Sequence, residues 1–181
     1  MKRIGLAFFL LTLIIPVLLA GCSTVSIYAQ RATATAYSTE YMTTAMQAAE
    51  SGAMALCNID FTAGRQAYID QICAASSTLG CSFFTNQVAQ AWADLERAYS
   101  ANVLECQPAT SRFLEEGQQF GMHVQYWLVT LKGTKGWSSG SSSREYWLQV
   151  AEENSKWKLN RVLTSDEVAF YLTIDSMGAE E

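Results

Sequence analysis

The spacing of the apolar residues changes near Ser100, and this change most constrains the fold that the chain can adopt. Before Ser100 the apolar side chains recur at helical spacing, whereas after it they alternate with polar side chains at every second position. Helices that come first and strands that follow are typical of an α+β domain. The order predicts three N-terminal helices packed on one concave face of a curved antiparallel sheet.

The first half of the chain predicts these three helices. The first covers Tyr41–Cys57, where apolar residues repeat close to every 3.6 positions. Asp60 can cap a second helix over residues 61–72. A loop rich in Ser and Gly is expected over residues 73–81, and the third helix is expected to begin with a cap near Thr85.

The second half predicts an antiparallel meander. Two short strands are expected before the hairpins, because Pro108 lacks the N–H that a sheet requires and Glu116-Gly117 is typical of a turn. The expected strands cover residues 103–107, 109–115, 118–131, 145–152 and 156–163, with a Gly/Ser-rich tip over residues 132–144. Thr164 then begins a sequence typical of a helix start.

The N-terminal segment predicts export from the cytoplasm. Lys2 and Arg3 precede an apolar run over residues 4–19, which is the pattern of a secretory signal. The alternative is a transmembrane anchor that stays in place. The apolar run is shorter than the roughly 20 residues that a helix needs to span a bilayer, so the signal is favoured.

The end of this segment, Leu19-Ala20-Gly21-Cys22, resembles the lipobox of bacterial lipoproteins. The resemblance implies cleavage before Cys22, attachment of a diacylglycerol to its thiol and acylation of the new amine. Such a lipid anchors the protein to a membrane. Ser23, instead of Asp, after the lipidated cysteine implies the outer membrane where the organism has one. The chain would therefore belong to the bacterial cell envelope and face the periplasm or the exterior.

The lipobox also predicts how the chain is divided. The expected parts are a signal peptide over residues 1–21, a lipidated tether over 22–40, a folded domain over 41–175 and a loose tail over 176–181. Cleavage removes Lys2 and Arg3, which leaves 10 basic against 17 acidic residues and a net charge of −7. This negative charge argues against nucleic acid and anionic lipid as partners.

Four further cysteines predict disulfide bonds, since an exported chain reaches an oxidising compartment. We favour the pair Cys73–Cys81, which closes a short loop, and the pair Cys57–Cys106 as the remainder. A zinc site made of all four cysteines and free buried thiols are the alternatives. The four cysteines are separated by 15, 7 and 24 residues, so no two of them form the C-x2-C knuckle that is typical of zinc sites. The zinc site is therefore the less favoured of the two alternatives.

The last hairpin carries a second resemblance. Its two strands read Glu145-Tyr146-Trp147-Leu148-Gln149-Val150 and Lys156-Trp157-Lys158-Leu159-Asn160-Arg161-Val162. This hairpin resembles the closing strands of the cystatin-like superfamily that includes nuclear transport factor two. The resemblance covers roughly residues 41–163 and implies a cystatin-like, cone-shaped domain.

Within that superfamily, an exported and membrane-tethered single domain is most similar to the periplasmic scaffold subunits of conjugation and type IV secretion machines. The resemblance implies a non-enzymatic component that contacts envelope proteins or associates with itself. Those subunits usually carry a transmembrane helix, whereas this chain carries a lipidation motif. Trp137 in the hairpin tip is a candidate partner contact, with the alternative that its ring folds back onto the sheet.

The same superfamily includes isomerases and dehydratases that use Asp, His or Tyr in the concavity of the sheet. The matching candidates here are His123, Asp60, Tyr126 and Tyr146. The alternative function is therefore a pocket protein that binds a small ligand or acts as an isomerase. The chain has one histidine and no hydrolase, phosphate-loop or metalloprotease motif, so we expect no enzyme, no metal and no cofactor.

Overall fold

The computed structural model describes residues 39–99, 102–137 and 143–178. The predicted signal peptide, Cys22 and all but the last two residues of the predicted tether lie outside this part. The compact unit Met42–Glu181 is the one considered below. Within the three described ranges, no helix combines the length and the apolar character needed to cross a membrane.

Helices precede and follow a single antiparallel sheet. The described helices are α1 (Thr39–Cys57), α2 (Gly64–Ala75), α3 (Thr78–Ala98) and α4 (Ser165–Gly178). The strands, in their order across the sheet, are β1 (Ile59–Asp60), β2 (Val103–Gln119), β3 (Met122–Lys135), β4 (Ser143–Glu153) and β5 (Lys156–Val162). The α+β prediction is confirmed, with three helices ahead of the long strands. Helix α1 begins two residues inside the predicted tether, and α4 extends into the predicted tail.

The predicted loop over residues 73–81 is wrong. Helix α2 continues to Ala75, α3 begins at Thr78, and only Ser76 and Ser77 separate them. Ser77 is the N-cap of α3, because its hydroxyl accepts a hydrogen bond from the N–H of Gly80 at 3.0 Å. The serines therefore start a helix here instead of forming a loop, and α3 begins seven residues before the predicted cap.

Asp60 is placed before α2, but not as its cap. Its Oδ1 accepts hydrogen bonds from the N–H of Thr62 at 2.9 Å and from that of Ala63 at 3.3 Å. These bonds stabilise a turn over residues 61–63, and α2 begins only at Gly64. The predicted start of this helix was therefore three residues too early.

The two short strands predicted around Pro108 form one continuous strand. Strand β2 pairs with β3 through three register shifts, and Pro108 lies within it. Strand β1 pairs only with the first two residues of β2, so Pro108 lies beyond the stretch that β1 pairs. The missing N–H of Pro108 therefore costs β2 no hydrogen bond to β1. The turn also lies later than predicted, at Phe120-Gly121, where both residues have positive φ, as two-residue hairpin turns require.

The core lies between α1–α3 and one face of the sheet. Helix α1 contributes Ala45, Ala49 and Ala53, all fully buried, and small residues allow it to approach the sheet closely. The remaining large buried residues of the core are Ile59, Tyr68, Ile69, Ile72, Phe84, Val88, Trp92, Leu104, Trp127, Val129, Leu131, Leu148, Val150 and Leu159. In β3 this face carries Trp127, Val129 and Leu131, which recur at every second position.

The structure contains both of the favoured disulfide bonds. Cys57 at the end of α1 is joined to Cys106 in β2, with Cα atoms 6.0 Å apart. Cys73 in the last turn of α2 is joined to Cys81 in the first turn of α3, with Cα atoms 4.5 Å apart. With every one of these four sulfur atoms in a disulfide, neither the zinc alternative nor the free-thiol alternative holds.

Helix α3 approaches the sheet most closely at Gly80. A Cβ added at this position would lie 2.6 Å from the carbonyl oxygen of Leu159 and 2.7 Å from that of Asn160. Alanine is intrinsically the better helix residue by roughly 1 kcal/mol. The Cβ of an alanine at position 80, however, would clash with the backbone of Leu159 and Asn160, which cannot move away as a flexible side chain can.

We therefore expect Gly80→Ala to destabilise the protein by about 2 kcal/mol, within the range for overpacked cores. Urea denaturation of the full chain measures this change. Gly117→Ala is the matched control, since a Cβ at Gly117 meets no atom within 4 Å. A Gly80→Ala variant more stable than the wild type would contradict the close packing of α3 on β5.

Candidate interaction surface

The structure does not bring the candidate residues Asp60 and His123 together. Asp60 pairs with Val103 at the beginning of β2, whereas His123 lies opposite Gln118 near its end, with 3.2 Å between their side-chain nitrogens. Asp60 is exposed, and hydrogen bonds from the side chain and N–H of Thr62 hold its pKa below the ordinary value. An ionised, exposed carboxylate is not suited to donate a proton in a pocket.

Large side chains pack in the concavity between the helices and the sheet. Trp92 and Trp127 are buried there, and Met46 packs against the same core. Tyr146 is partly buried against this core, and burial raises its pKa to about 12. This packing does not favour the small-ligand or isomerase-like alternative.

Tyr126 lies on the opposite face of the sheet, where α4 packs. A cleft of about 460 Å³ there is lined by Glu115, Gly117, Gln118, Tyr126, Asp166, Glu167, Phe170 and Tyr171. A second cleft of about 250 Å³ shares Glu115, Phe170 and Tyr171 with the first and extends to Arg112, Phe113, Leu114 and Ile174. The two clefts form one surface feature between β2 and α4, which we name the β2–α4 groove.

An ion pair and a cap connect α4 to β5. The guanidinium of Arg161 donates two hydrogen bonds, each 2.6 Å long, to the two carboxylate oxygens of Glu167. The carboxylate also accepts a bond from the N–H of Thr164 at 2.8 Å, and the Thr164 hydroxyl accepts one from the N–H of Glu167 at 3.4 Å. This reciprocal arrangement is a capping box, and it confirms the helix start predicted at Thr164.

Tyr171 anchors the middle of α4 to the sheet. Its ring stacks on that of Trp147 with centroids 6.4 Å apart, and the centroid of the Tyr126 ring lies 6.2 Å away. Its hydroxyl donates a hydrogen bond to Glu115 in β2 at 2.9 Å. Burial and the Glu115 carboxylate raise the pKa of Tyr171, so the hydroxyl stays protonated and remains a donor.

Helix α4 also carries exposed apolar side chains. Phe170, Leu172 and Ile174 are 58%, 54% and 46% exposed. A surface helix normally presents polar residues to solvent, and contiguous exposed apolar side chains mark interaction sites. The start of this helix is visible in the sequence, and the signal for its exposed apolar surface is that apolar residues occur on several of its sides.

Trp137 is partly buried, with its ring folded back onto the sheet. Its indole N–H donates to the carbonyl oxygen of Glu105 at 3.1 Å, and its ring meets that of Tyr99 edge-on at 5.6 Å. The guanidinium of Arg144 lies 4.5 Å above the ring. This placement matches the alternative given for Trp137, and its role as a partner contact stays a prediction.

Nowhere in residues 39–99, 102–137 and 143–178 do three His, Cys, Asp or Glu side chains converge so that they could hold a metal ion.

The attachment of α4 is expected to depend on pH. Hydrogen bonds from Arg161 and Thr164 lower the pKa of Glu167 from 4.5 to about 2. The stabilisation from Glu167 is therefore complete above about pH 4.5 and is lost as the pH falls towards 2. The free energy of unfolding should differ by about 1 kcal/mol between wild type and Glu167→Gln at neutral pH.

Urea denaturation between pH 7 and pH 2.5 tests this dependence. The difference between wild type and Glu167→Gln should shrink across the acidic half of this range. Glu96→Gln on the exposed side of α3 is the control and should differ little from wild type at any pH. A difference that is constant with pH would show that the carboxylate charge does not hold α4.

Comparison with known proteins identifies a fold but not a family. No family model matches the chain, and no protein of curated function matches its sequence. Among solved structures, the periplasmic domain of DotI matches with a TM-score of 0.50 and 12% sequence identity. The match covers 70% of this chain and 94% of that domain. The protein is therefore similar in fold to the periplasmic domain of DotI.

Proposed function

We propose that this protein is a lipid-anchored component of the bacterial cell envelope that works through protein contacts, without catalysis. The observation that carries the proposal is the fold similarity to the periplasmic domain of DotI, which extends over nearly all of that domain. DotI is a type IV secretion component. We also propose that the domain is cystatin-like and that its partners belong to a conjugation or type IV secretion-like assembly.

Two features of the molecule support this role. The two disulfides fit the periplasm or the exterior, because disulfides persist in oxidising compartments. The exposed apolar residues of α4 and the β2–α4 groove provide a surface for protein contacts. The excess of acidic residues disfavours nucleic acid as a partner.

The anchor is tested at Cys22. We expect the wild-type chain to incorporate labelled palmitate and to sediment with membranes, whereas Cys22→Ser should lose the label. Cys57→Ala is the control for the loss of a cysteine elsewhere and should keep the label. Equal labelling of wild type and Cys22→Ser, or no labelling of either, would overturn the lipoprotein assignment.

The assembly role is tested by photocrosslinking in native membranes. A photoreactive phenylalanine analogue replaces Phe170 beside the β2–α4 groove, Trp137 at the hairpin tip, or Gln90 on the exposed side of α3 as a control. We expect defined adducts with other envelope proteins from Phe170, identified by mass spectrometry, and none from Gln90. Adducts from Trp137 would establish it as a second contact. The absence of adducts from both test positions would contradict the assembly role.

A further inference from the structure

We propose that the tip of the β2–β3 hairpin, residues 118–122, inserts into the surface of the membrane that carries the lipid anchor. The proposal rests on the anchor proposed above and adds a contact between the folded domain itself and the bilayer. Phe120 forms the tip and is 86% exposed. Phenylalanine is one of the residues that bury an apolar face at the boundary between headgroups and acyl chains.

The backbone at Phe120 favours other residues than phenylalanine. Its φ is 51°, and Gly121, the second residue of the turn, has a φ of 77°. Two-residue turns of this kind prefer Asn-Gly or Gly-Gly, and a bulky residue is rare in the left-handed region. The exposure of the ring means that packing against the domain does not compensate for this choice. A residue that breaks a local rule without such a gain indicates a role outside the domain.

The hairpin around Phe120 is uncharged. Residues 117–131 contain no Asp, Glu, Lys or Arg, so insertion of the tip removes no such side chain of the hairpin from water. At the same end of the sheet, the turn between β4 and β5 carries the exposed Lys156, and Glu153 forms an ion pair with Lys158 at 3.7 Å. The contact therefore depends on the apolar ring and not on attraction between the acidic chain and charged headgroups.

The direction of α1 places its beginning towards the same end of the sheet as this tip. Cys57, the last residue of α1, is joined to Cys106 near the beginning of β2. Glu50, earlier in α1, accepts a hydrogen bond at 2.6 Å from the hydroxyl of Ser111, which lies farther along β2. Followed back towards its beginning, α1 therefore runs in the direction of the β2–β3 turn.

The tip projects past the beginning of α1. Met42, where the compact unit begins, precedes Glu50 by eight positions, which is about 12 Å of helix. Val129 lies opposite Ser111, and Met122 at the turn is seven positions from Val129, which is about 23 Å of strand. The hairpin tip therefore extends farther in this direction than the point where the chain enters the domain.

This placement favours a membrane over the pocket of another protein as the partner of Phe120. Cys22 and Met42 are 20 positions apart, so the chain between them spans at most about 70 Å. A bilayer attached through Cys22 is thus held within reach of the end of the domain from which the tip projects. Attachment makes the second contact intramolecular, so a single aromatic ring is sufficient to sustain it.

Photocrosslinking to lipid tests the contact. A photoreactive phenylalanine analogue replaces Phe120 in the full chain, in native membranes whose phospholipids carry labelled phosphate. The lipid proposed on Cys22 contains no phosphate, so a labelled adduct reports contact with the surrounding bilayer. The control position is Thr134, which is exposed at the opposite end of β3. We expect labelled adducts from position 120 and not from position 134. Equal labelling, no labelling, or adducts from position 120 with proteins alone would overturn the proposal.

The variant Phe120→Asn separates the contact from folding. Asparagine before Gly121 suits the turn, so the midpoint of thermal unfolding should equal or exceed that of the wild type. With the photoreactive residue moved to the exposed Gln118, Phe120→Asn should lower the yield of labelled adducts about tenfold, because burial of the ring is lost. Phe120→Trp should keep the yield. Undiminished labelling in Phe120→Asn, or a lower unfolding midpoint, would overturn the proposal.

The outcomes distinguish this contact from the proposed function. A chain that incorporates palmitate but gives no labelled adduct from position 120 would contradict insertion of the tip and leave the anchor intact. Loss of palmitate labelling contradicts the anchor, whatever position 120 contacts. Protein adducts from position 170 report the assembly role alone, since Phe170 lies on α4 beside the β2–α4 groove and not at the tip.

Discussion

Replacing Cys57 and Cys106 by alanine is expected to lower the free energy of unfolding by about 4 kcal/mol. The two cysteines are separated by 49 positions, so their bond greatly restricts the unfolded chain. The bond also joins the end of α1 to β2, and both cysteines are buried. Urea denaturation of the double alanine variant under oxidising conditions measures the loss.

The second disulfide is the matched control for this result. Cys73 and Cys81 are separated by only 8 positions, so Cys73→Ala/Cys81→Ala should cost about 2.5 kcal/mol. The difference between the two double variants isolates the effect of loop length from that of losing a disulfide. Equal losses, or a larger loss from the short loop, would show that native-state contacts of the sulfur atoms dominate.

Asn160→Ala is expected to destabilise the protein by about 3 kcal/mol. The amide of buried Asn160 connects α3 to β4: its Oδ1 accepts a bond from the Ser77 hydroxyl, and its Nδ2 donates one to Gln149 Oε1, both at 2.7 Å. Gln149 in turn donates to Gln119 and to Tyr126, each at 2.9 Å. Removal of the amide leaves buried groups of Ser77 and Gln149 without these partners.

Asn86→Ala provides the comparison for this variant. Asn86 lies on the exposed side of α3 and donates one hydrogen bond to Ser82 within its own helix. Water can replace that bond, so the loss should stay below about 0.5 kcal/mol. Thermal unfolding followed by circular dichroism compares the two variants. Similar losses from Asn160→Ala and Asn86→Ala would contradict a structural role for the buried network.

Local patterns were sufficient for the order of helices and strands. The helical repeat over Tyr41–Cys57 and the alternation in the second half of the chain each predict the type of element, because the spacing of apolar side chains follows the geometry of a helix or of a strand. The closing hairpin was predicted nearly residue for residue, because the polar residues Glu153-Asn154-Ser155 mark the turn between its two strands. The capping box at Thr164 was likewise visible, since its two partners are three residues apart.

Errors occurred where a distant contact decided the local structure. Ser76 and Ser77 were interpreted as loop residues, yet Ser77 begins a helix and its hydroxyl bonds to Asn160, 83 positions away. Pro108 was expected to end a strand, but a strand end is required only where both edges are paired. The face on which Tyr126 lies could be read from alternation, whereas the helix that covers it could not.

The sequence by itself determined the α+β order, the predicted lipid anchor and the even set of cysteines with their favoured pairing, because each depends on neighbouring residues or on composition. Only the tertiary structure decided that β2 is a single bulged strand, that α4 covers the second face of the sheet and that Trp92 and Trp127 pack between the helices and the sheet. These features depend on which surfaces meet across the sheet, and residues far apart in the chain supply those surfaces.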